Sequence, residues 1–109
     1  MTNINLGSRS SIVITISSII EILRETGYEN RIPYLEDILQ TINDQHIENF
    51  KSLVINNELF GGSGALWEIY IENPKLSRRY KKLFFQFIRE IERMGIKNPR
   101  ITQIKEVMK

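Results

Sequence analysis

The sequence has 109 residues, of which 41% are hydrophobic and 26% are charged, and its formal net charge is +2. The length fits a single domain, residues 1–109, and the composition excludes an intrinsically disordered chain. The absence of cysteine excludes a disulfide-stapled domain, and no window reaches the roughly 18 consecutive apolar residues of a membrane span, so we expect a cytoplasmic protein.

The first predicted helix runs from about Ser10 to Thr26, with Ser8 or Ser10 as its N-cap. Its apolar residues recur at helical spacing: Ile12, Ile16, Ile19, Ile20 and Leu23. Gly27 is suited to the C-terminal cap, where a positive φ is common. The run Ile12–Ile16 is β-branched throughout, which keeps a strand open as an alternative there.

The second predicted helix begins near Pro33, a residue suited to a first helical turn. Its apolar stripe consists of Leu35, Ile38, Leu39 and Ile42. A third helix covers about Gln45 to Leu59 and is either separate from the second or continuous with it. A glycine-rich loop at residues 61–64 follows, and residues 65–72 are interpreted as one or two helical turns, with a strand as the alternative.

The fourth predicted helix has the clearest boundaries. Asn73-Pro74 supplies an N-cap and a first-turn proline, an apolar stripe continues from Leu76 to Met94, and Gly95 ends it. The same Asn-Pro pair at residues 98–99 opens a short last helix with Ile101, Ile104 and Met108 inward. The sequence therefore predicts an all-α compact bundle of five to six helices. A minor two-stranded element at Ile12–Ile16 and Ile69–Ile71 is the main alternative.

Charge is segregated along the chain. Residues 1–73 carry four basic and ten acidic side chains, net −6, whereas residues 74–109 carry eleven basic and three acidic ones, net +8. Either the two halves neutralise each other, or they form two faces of opposite sign, one of which meets a charged partner. The candidates for an acidic partner-binding face are Glu21, Glu25, Glu29, Glu36, Asp37, Asp44 and Glu48. The candidates for a basic face are Arg78, Arg79, Lys81 and Lys82.

No catalytic or metal site is predicted. His46 is the only histidine and there is no cysteine, so a histidine-cysteine metal site lacks ligands. Ser63 stands between glycines, but a serine nucleophile needs a base and an orienting acid beside it. We interpret Gly61, Gly62 and Gly64 as structural, because glycine suits turns at positive φ. A phosphate-binding loop is the alternative. No cofactor is expected.

Residues 59–71 read L-F-G-G-S-G-A-L-W-E-I-Y-I. They resemble the central motif of a small uncharacterised bacterial family, which runs roughly L-F-G-G-M-G-S-L-N-D and is matched here as L-F-G-G-x-G-[SA]-L. Ser63, Ala65 and Trp67-Glu68 depart from that motif, whereas the glycine scaffold is kept. The resemblance implies a small helical protein without known catalysis, similar to immunity proteins of bacterial toxin systems such as contact-dependent growth inhibition.

These observations predict an immunity or antitoxin-type protein, not an enzyme, that binds and neutralises a cognate bacterial toxin domain. An acidic first two-thirds of the chain suggests a nuclease as that toxin, because carboxylates imitate nucleic acid toward a basic enzyme. The alternative is a nucleic-acid-associated or regulatory helical domain that uses the basic helix 75–93. No membrane partner is expected.

Overall fold

Helices account for most of the chain. A computed structural model describes residues 6–61 and 64–108, with side chains for residues 11–56, 58–61 and 64–108. Over these ranges no strand occurs, so the predicted all-α bundle is confirmed and the two-stranded alternative is not found. The α-helices are α1 (Leu6–Glu25), α2 (Ile32–Asn43), α3 (Ile47–Val54), α4 (Asn57–Phe60), α5 (Pro74–Arg93) and α6 (Pro99–Met108), with 3-10 turns at Glu29–Arg31 and Leu66–Glu68.

Helix α1 begins at Leu6, earlier than predicted, so Ser8 and Ser10 lie within the helix and not at its cap. The β-branched run Ile12–Ile16 is helical, because Ile12 and Ile16 are fully buried in the core and this burial outweighs a weak local preference. At the other end, Gly27 has a φ of +84°, and the Tyr28 amide donates to the Leu23 carbonyl, which closes the helix as predicted.

The middle of the chain is more broken than predicted. Gln45 has a φ of +59°, and the amide of His46 donates to the Thr41 carbonyl, so α2 and α3 are separate helices. The predicted third helix is itself divided into α3 and α4 by residues 55 and 56. In this short linker the side chain of Asn56 accepts a hydrogen bond from the Glu58 amide, a local bond that competes with helix continuation.

Helix α5 has the boundaries that the sequence predicts. The Asn73 side chain accepts hydrogen bonds from the amides of Lys75 and Leu76, at 2.9 and 3.1 Å. Gly95 has a φ of +88°, and the Ile96 amide donates to the Ile91 carbonyl beyond the last turn. Asn98 caps α6 in the same way as Asn73 caps α5.

Helices α1 and α5 are antiparallel and form the main helix pair of the fold. Ser11 near the start of α1 donates to Glu90 near the end of α5, which fixes their opposite directions. Between them and α4 lies an aromatic cluster in which ring centroids are 5.1 to 6.1 Å apart. Its members are Phe60, Tyr80, Phe84 and Phe87. These separations are those of tilted and edge-to-face rings, which stabilise a core beyond the area they bury.

One charged side chain lies inside this packing. Glu90 is only 1% exposed, and its Oε2 atom accepts hydrogen bonds from Ser11 and Gln86. Its Oε1 atom has no hydrogen-bond partner among the described residues. The position was readable from the sequence, since Glu90 follows Leu83 by seven residues and Phe87 by three and so belongs to the inward stripe.

No helix among the described residues is long and apolar enough to span a membrane.

We predict that Asn73→Ala lowers the free energy of unfolding by about 1 kcal/mol, because two amides at the start of α5 lose their side-chain acceptor. Urea denaturation followed by circular dichroism measures the change. Asn49→Ala is the matched control, since Asn49 is exposed within α3 and caps no helix. Equal stability of the Asn73 variant and the unsubstituted protein would contradict the prediction.

Candidate binding surface

The seven acidic candidates are all exposed, but they are spread over successive elements. They lie on α1, the first 3-10 turn, α2, the α2–α3 turn and α3: Glu21, Glu25, Glu29, Glu36, Asp37, Asp44 and Glu48. Some are already engaged within the fold. Glu21 pairs with Arg24 at 2.8 Å, and the Asp44 carboxylate accepts from Gln40 at 3.0 Å. Nowhere in the described ranges do three potential metal ligands of the His, Cys, Asp or Glu type come together.

Asp37 acts on a neighbouring tyrosine of the same helix. The Tyr34 hydroxyl donates to the Leu53 carbonyl at 2.6 Å, which ties α2 to α3. Partial burial, together with the carboxylates of Glu58 and Asp37, raises the pKa of Tyr34 to about 12. The phenol therefore stays protonated and keeps this hydrogen bond through the neutral range.

The four basic candidates are exposed on α5: Arg78, Arg79, Lys81 and Lys82. None forms an ion pair with another described residue. Arg78 and Lys82 also belong to a longer row whose members are three or four residues apart and therefore share one side of the helix. We call this row the basic ridge: Lys75, Arg78, Lys82, Arg89 and Arg93, all exposed, with the half-buried Phe85 in its gap.

The segment between α4 and α5 is held by side chains from four parts of the chain. Each donates to a backbone carbonyl of residues 60–70, at 2.7 to 3.2 Å. The donor and acceptor pairs are Tyr28 and Tyr70, Arg31 and Gly64, Trp67 and Gly61, Tyr80 and Leu66, and Arg100 and Phe60. The segment also buries Ala65, Leu66 and Ile71 in the core. It is therefore fixed even though most of it is not helical.

This fixed segment presents apolar side chains outward. Tyr70 is 74% exposed, and the half-buried Trp67 and Ile69 lie close to it in sequence. Val107 on α6 is also 74% exposed. Trp67, Tyr70 and Val107 line one cleft of about 480 Å³ between the segment, α5 and the end of α6.

A second cleft continues the first along α5. It has a volume of about 430 Å³ and is lined by Phe85, Met108 and three cations of α5. Lys81 and Met108 line both clefts, so the two clefts adjoin each other, and together they are called the groove. We call the groove and its edges the aromatic–basic surface: Trp67, Tyr70, Lys81, Lys82, Phe85, Arg89, Val107 and Met108.

The sequence pointed to part of this surface and missed the rest. Lys81 and Lys82 were candidates because they stand in a cationic run. Tyr70, Phe85 and Val107 were missed, because an apolar residue in a helical sequence is ordinarily read as core. For Phe85 a signal was available in the periodicity, since this residue stands among the outward basic positions of α5. No such signal marks Val107, because it follows the inward Ile104 by three residues, a spacing that shares one helix face.

Of the remaining candidates, Gly61 and Gly64 line a neighbouring cleft of about 450 Å³ that shares Trp67 and Val107 with the first cleft. His46 is exposed at the N-terminal border of α3. Gly64 has a φ of +90°, a conformation that requires glycine, and Gly61 accepts the hydrogen bond of Trp67. Gly62 and Ser63 lie outside the described residues, so the structural interpretation of the loop stays a prediction for them.

Comparison with models of known protein families, with curated proteins and with solved structures found no match to this chain.

We predict that Tyr80→Phe lowers the free energy of unfolding by about 1–3 kcal/mol at pH 7, because the buried Leu66 carbonyl loses its donor. Urea denaturation measures the loss. Tyr70→Phe is the matched control: its side chain is exposed, so the change should stay within about 0.5 kcal/mol.

The cost of Tyr80→Phe should also shrink in alkali. Burial raises the pKa of Tyr80 above its ordinary value of 10.0, and the Arg31 guanidinium offsets part of that effect. Above pH 10 the unfolded chain releases this proton while the folded chain keeps it, so the unsubstituted protein loses up to about 1.4 kcal/mol per pH unit from this group. Phenylalanine cannot ionise. A gap that is constant from pH 9 to pH 11 would contradict the prediction.

Proposed function

We propose that this protein is a binding protein of the immunity or antitoxin type, which holds a cognate bacterial toxin domain on its aromatic–basic surface and blocks its activity. One observation carries the proposal: Tyr70 and Val107 are each 74% exposed beside a groove whose charged lining residues are three cations, Lys81, Lys82 and Arg89, and one carboxylate, Glu68. Exposed apolar side chains that adjoin one another mark surfaces that another molecule covers.

The composition of this surface fits a protein partner. Protein interfaces place aromatic residues, methionine and arginine at their centre and polar groups around the rim. Here Trp67, Tyr70 and Met108 line the groove, and Lys82 and Arg89 lie at its edge. Tyrosine and tryptophan held in place before binding lose little conformational freedom when a partner arrives, which favours affinity. The hydrogen bond from the Trp67 indole to the Gly61 carbonyl holds the Trp67 side chain, and the bond from Tyr28 to the Tyr70 carbonyl holds the backbone from which the Tyr70 side chain projects.

A toxin domain is the partner that the motif at residues 59–66 favours, through its resemblance to a family similar to immunity proteins. The fixed segment begins with that motif, so the same glycines lead into the turn that presents Trp67 and Tyr70. The seven acidic candidates remain an alternative binding face, suited to a basic toxin such as a nuclease. The two faces make opposite predictions when charges are reversed.

We expect a one-to-one complex with the toxin domain encoded beside the gene for this protein, and loss of toxin activity in that complex. Tyr70→Ala and Val107→Ala should each weaken the complex at least about tenfold, because both truncate exposed anchors. Ile14→Ala and Ile55→Ala are matched controls, since both side chains are exposed, at 66% and 46%, and lie outside the groove.

Isothermal titration calorimetry and inhibition of the toxin are the measurements. The association rate should fall about tenfold or more as salt is raised from about 0.05 M to about 0.5 M, because charges at the groove edge attract the partner. Full toxin activity at saturating amounts of this protein would overturn the proposal. If the double variant Glu36→Lys, Asp37→Lys weakens the complex and Tyr70→Ala does not, the toxin domain is bound by the acidic face instead.

A second function is favoured by the basic ridge, which extends over about 27 Å from Lys75 to Arg93 at 1.5 Å per residue. Such a row is long enough to contact several phosphates of a nucleic acid. We predict that Arg78→Glu with Lys82→Glu abolishes retention of duplex DNA or RNA at low salt, as measured by a filter-binding assay. Lys51→Glu, an exposed change on α3, is the control. Retention no higher than background for the unsubstituted protein removes this function.

A further inference from the structure

The groove has a definite direction and length. Ser77 lines its first cleft and Arg89 lines its second, and both belong to α5. Twelve residues separate them, which corresponds to about 18 Å along the helix axis. The groove therefore runs beside α5 for about three helical turns, with the C-terminal end of α6 as the wall that both clefts share.

Its apolar and charged groups are arranged in order. Tyr70 and Val107 lie in the first cleft, Met108 lies in both, and Phe85 lies in the second. Lys81, Lys82 and Arg89 accompany them, and among the described residues none of the three has an ion-pair partner. The three cations lie within nine residues of one helix and outnumber the one carboxylate of the groove, Glu68 in the first cleft, so an acidic occupant would relieve their mutual repulsion.

The backbone of the groove restricts how a partner can bind. The α5 wall is helical, so its main-chain donors and acceptors are paired within the helix. The end of α6 has its amides paired in the same way, and only the carbonyls of its last turn have no partner within that helix. No strand occurs among residues 6–61 and 64–108, so the described part offers no sheet edge to which an extended peptide could add. A helical partner has its main-chain amides and carbonyls hydrogen-bonded within its own helix. An extended partner would instead bury unpaired amides against the apolar residues of the groove.

We infer that the aromatic–basic surface takes an acidic amphipathic helix of its protein partner, about three turns long. Its apolar residues, spaced three or four apart, would cover Tyr70, Met108 and Phe85 in turn, and its carboxylates would flank them and face Lys81, Lys82 and Arg89. This inference rests on the proposed function, which it narrows from a protein partner to one structural and chemical class of partner.

A nucleic acid would use the molecule differently. Phosphates would follow the basic ridge, which continues to Lys75 and Arg93 beyond the two clefts, and would gain little from Val107. Substitutions at the apolar positions therefore separate a helical partner from a nucleic acid. Whether a second copy of this chain occupies the groove is tested by sedimentation of the protein alone.

The probe is a fluorescein-labelled peptide of about 18 residues with leucine at helical spacing and glutamate at most other positions. One control peptide has the same composition with leucine at every second position, and another has lysine in place of glutamate. Anisotropy titrations with the whole chain should give at least about tenfold tighter binding of the probe than of either control. A single-stranded DNA oligonucleotide should not displace the probe.

Variants locate the probe on the molecule. We expect Tyr70→Ala and Val107→Ala together, and Lys82→Glu with Arg89→Glu, each to weaken probe binding at least about tenfold. Ile14→Ala with Ile55→Ala and the single change Lys51→Glu should leave it unchanged. All of these side chains are exposed, Ile55 at 46%, so the variants should fold; circular dichroism and thermal unfolding check this.

Three results would overturn the inference: equal binding of the probe and the alternately spaced peptide, equal binding of the glutamate and lysine peptides, or binding that the groove variants leave unchanged. Displacement by DNA would assign the groove to nucleic acid, and concentration-dependent dimers that Tyr70→Ala disrupts would assign it to a second copy. If the toxin is neutralised while the probe fails, the proposed function stands and only the helical partner is wrong. If the protein binds neither the toxin nor the probe, the proposed function and the helical partner are both wrong.

Discussion

The structure depends on one constraint: the segment between α4 and α5 is mostly not helical, so the carbonyl groups that it brings to the core must find hydrogen-bond donors elsewhere in the chain. Ala65 and Leu66 of this segment are buried, and a continuous helix would have satisfied its carbonyls internally. Side chains do so instead, from the phenols of Tyr28 and Tyr80 and the guanidinium groups of Arg31 and Arg100. The same bonds that satisfy the backbone hold the segment in one conformation, and that conformation presents an aromatic surface.

The helices were predictable because their signals are local. Asn73-Pro74 and Gly95 bound α5 as the sequence indicated, since caps depend on neighbouring residues alone. The sequence does not decide whether the second and third helices are separated at Gln45, because glutamine has no strong preference for positive φ. The structure shows the positive φ at this residue. The long-range bond from Tyr80 to Leu66 was not predictable, because nothing near either residue specifies the other.

The residues of the candidate site likewise divide into those that the sequence identifies and those that it does not. Charge could be read directly, so Lys81 and Lys82 were recognised as outward cations. The exposure of apolar residues could not be read from the sequence, because hydrophobicity alone suggests that Tyr70 and Val107 belong to the core. The converse holds for Glu90, a charged residue type whose position in the apolar stripe places it at the α1–α5 contact. For Glu90, periodicity is a better guide than residue type.

The fixed segment also ties recognition to the order of folding. Its donors are distant in sequence: Tyr28 lies 42 residues from Tyr70, and Arg100 lies 40 residues from Phe60. Contacts of such separation form late, since the intervening chain must first be closed into loops. A nascent or partly opened chain therefore holds the apolar residues of the surface but not their arrangement. Competence to bind arrives only with the native topology, and an opening that releases α6 removes it before the core is lost.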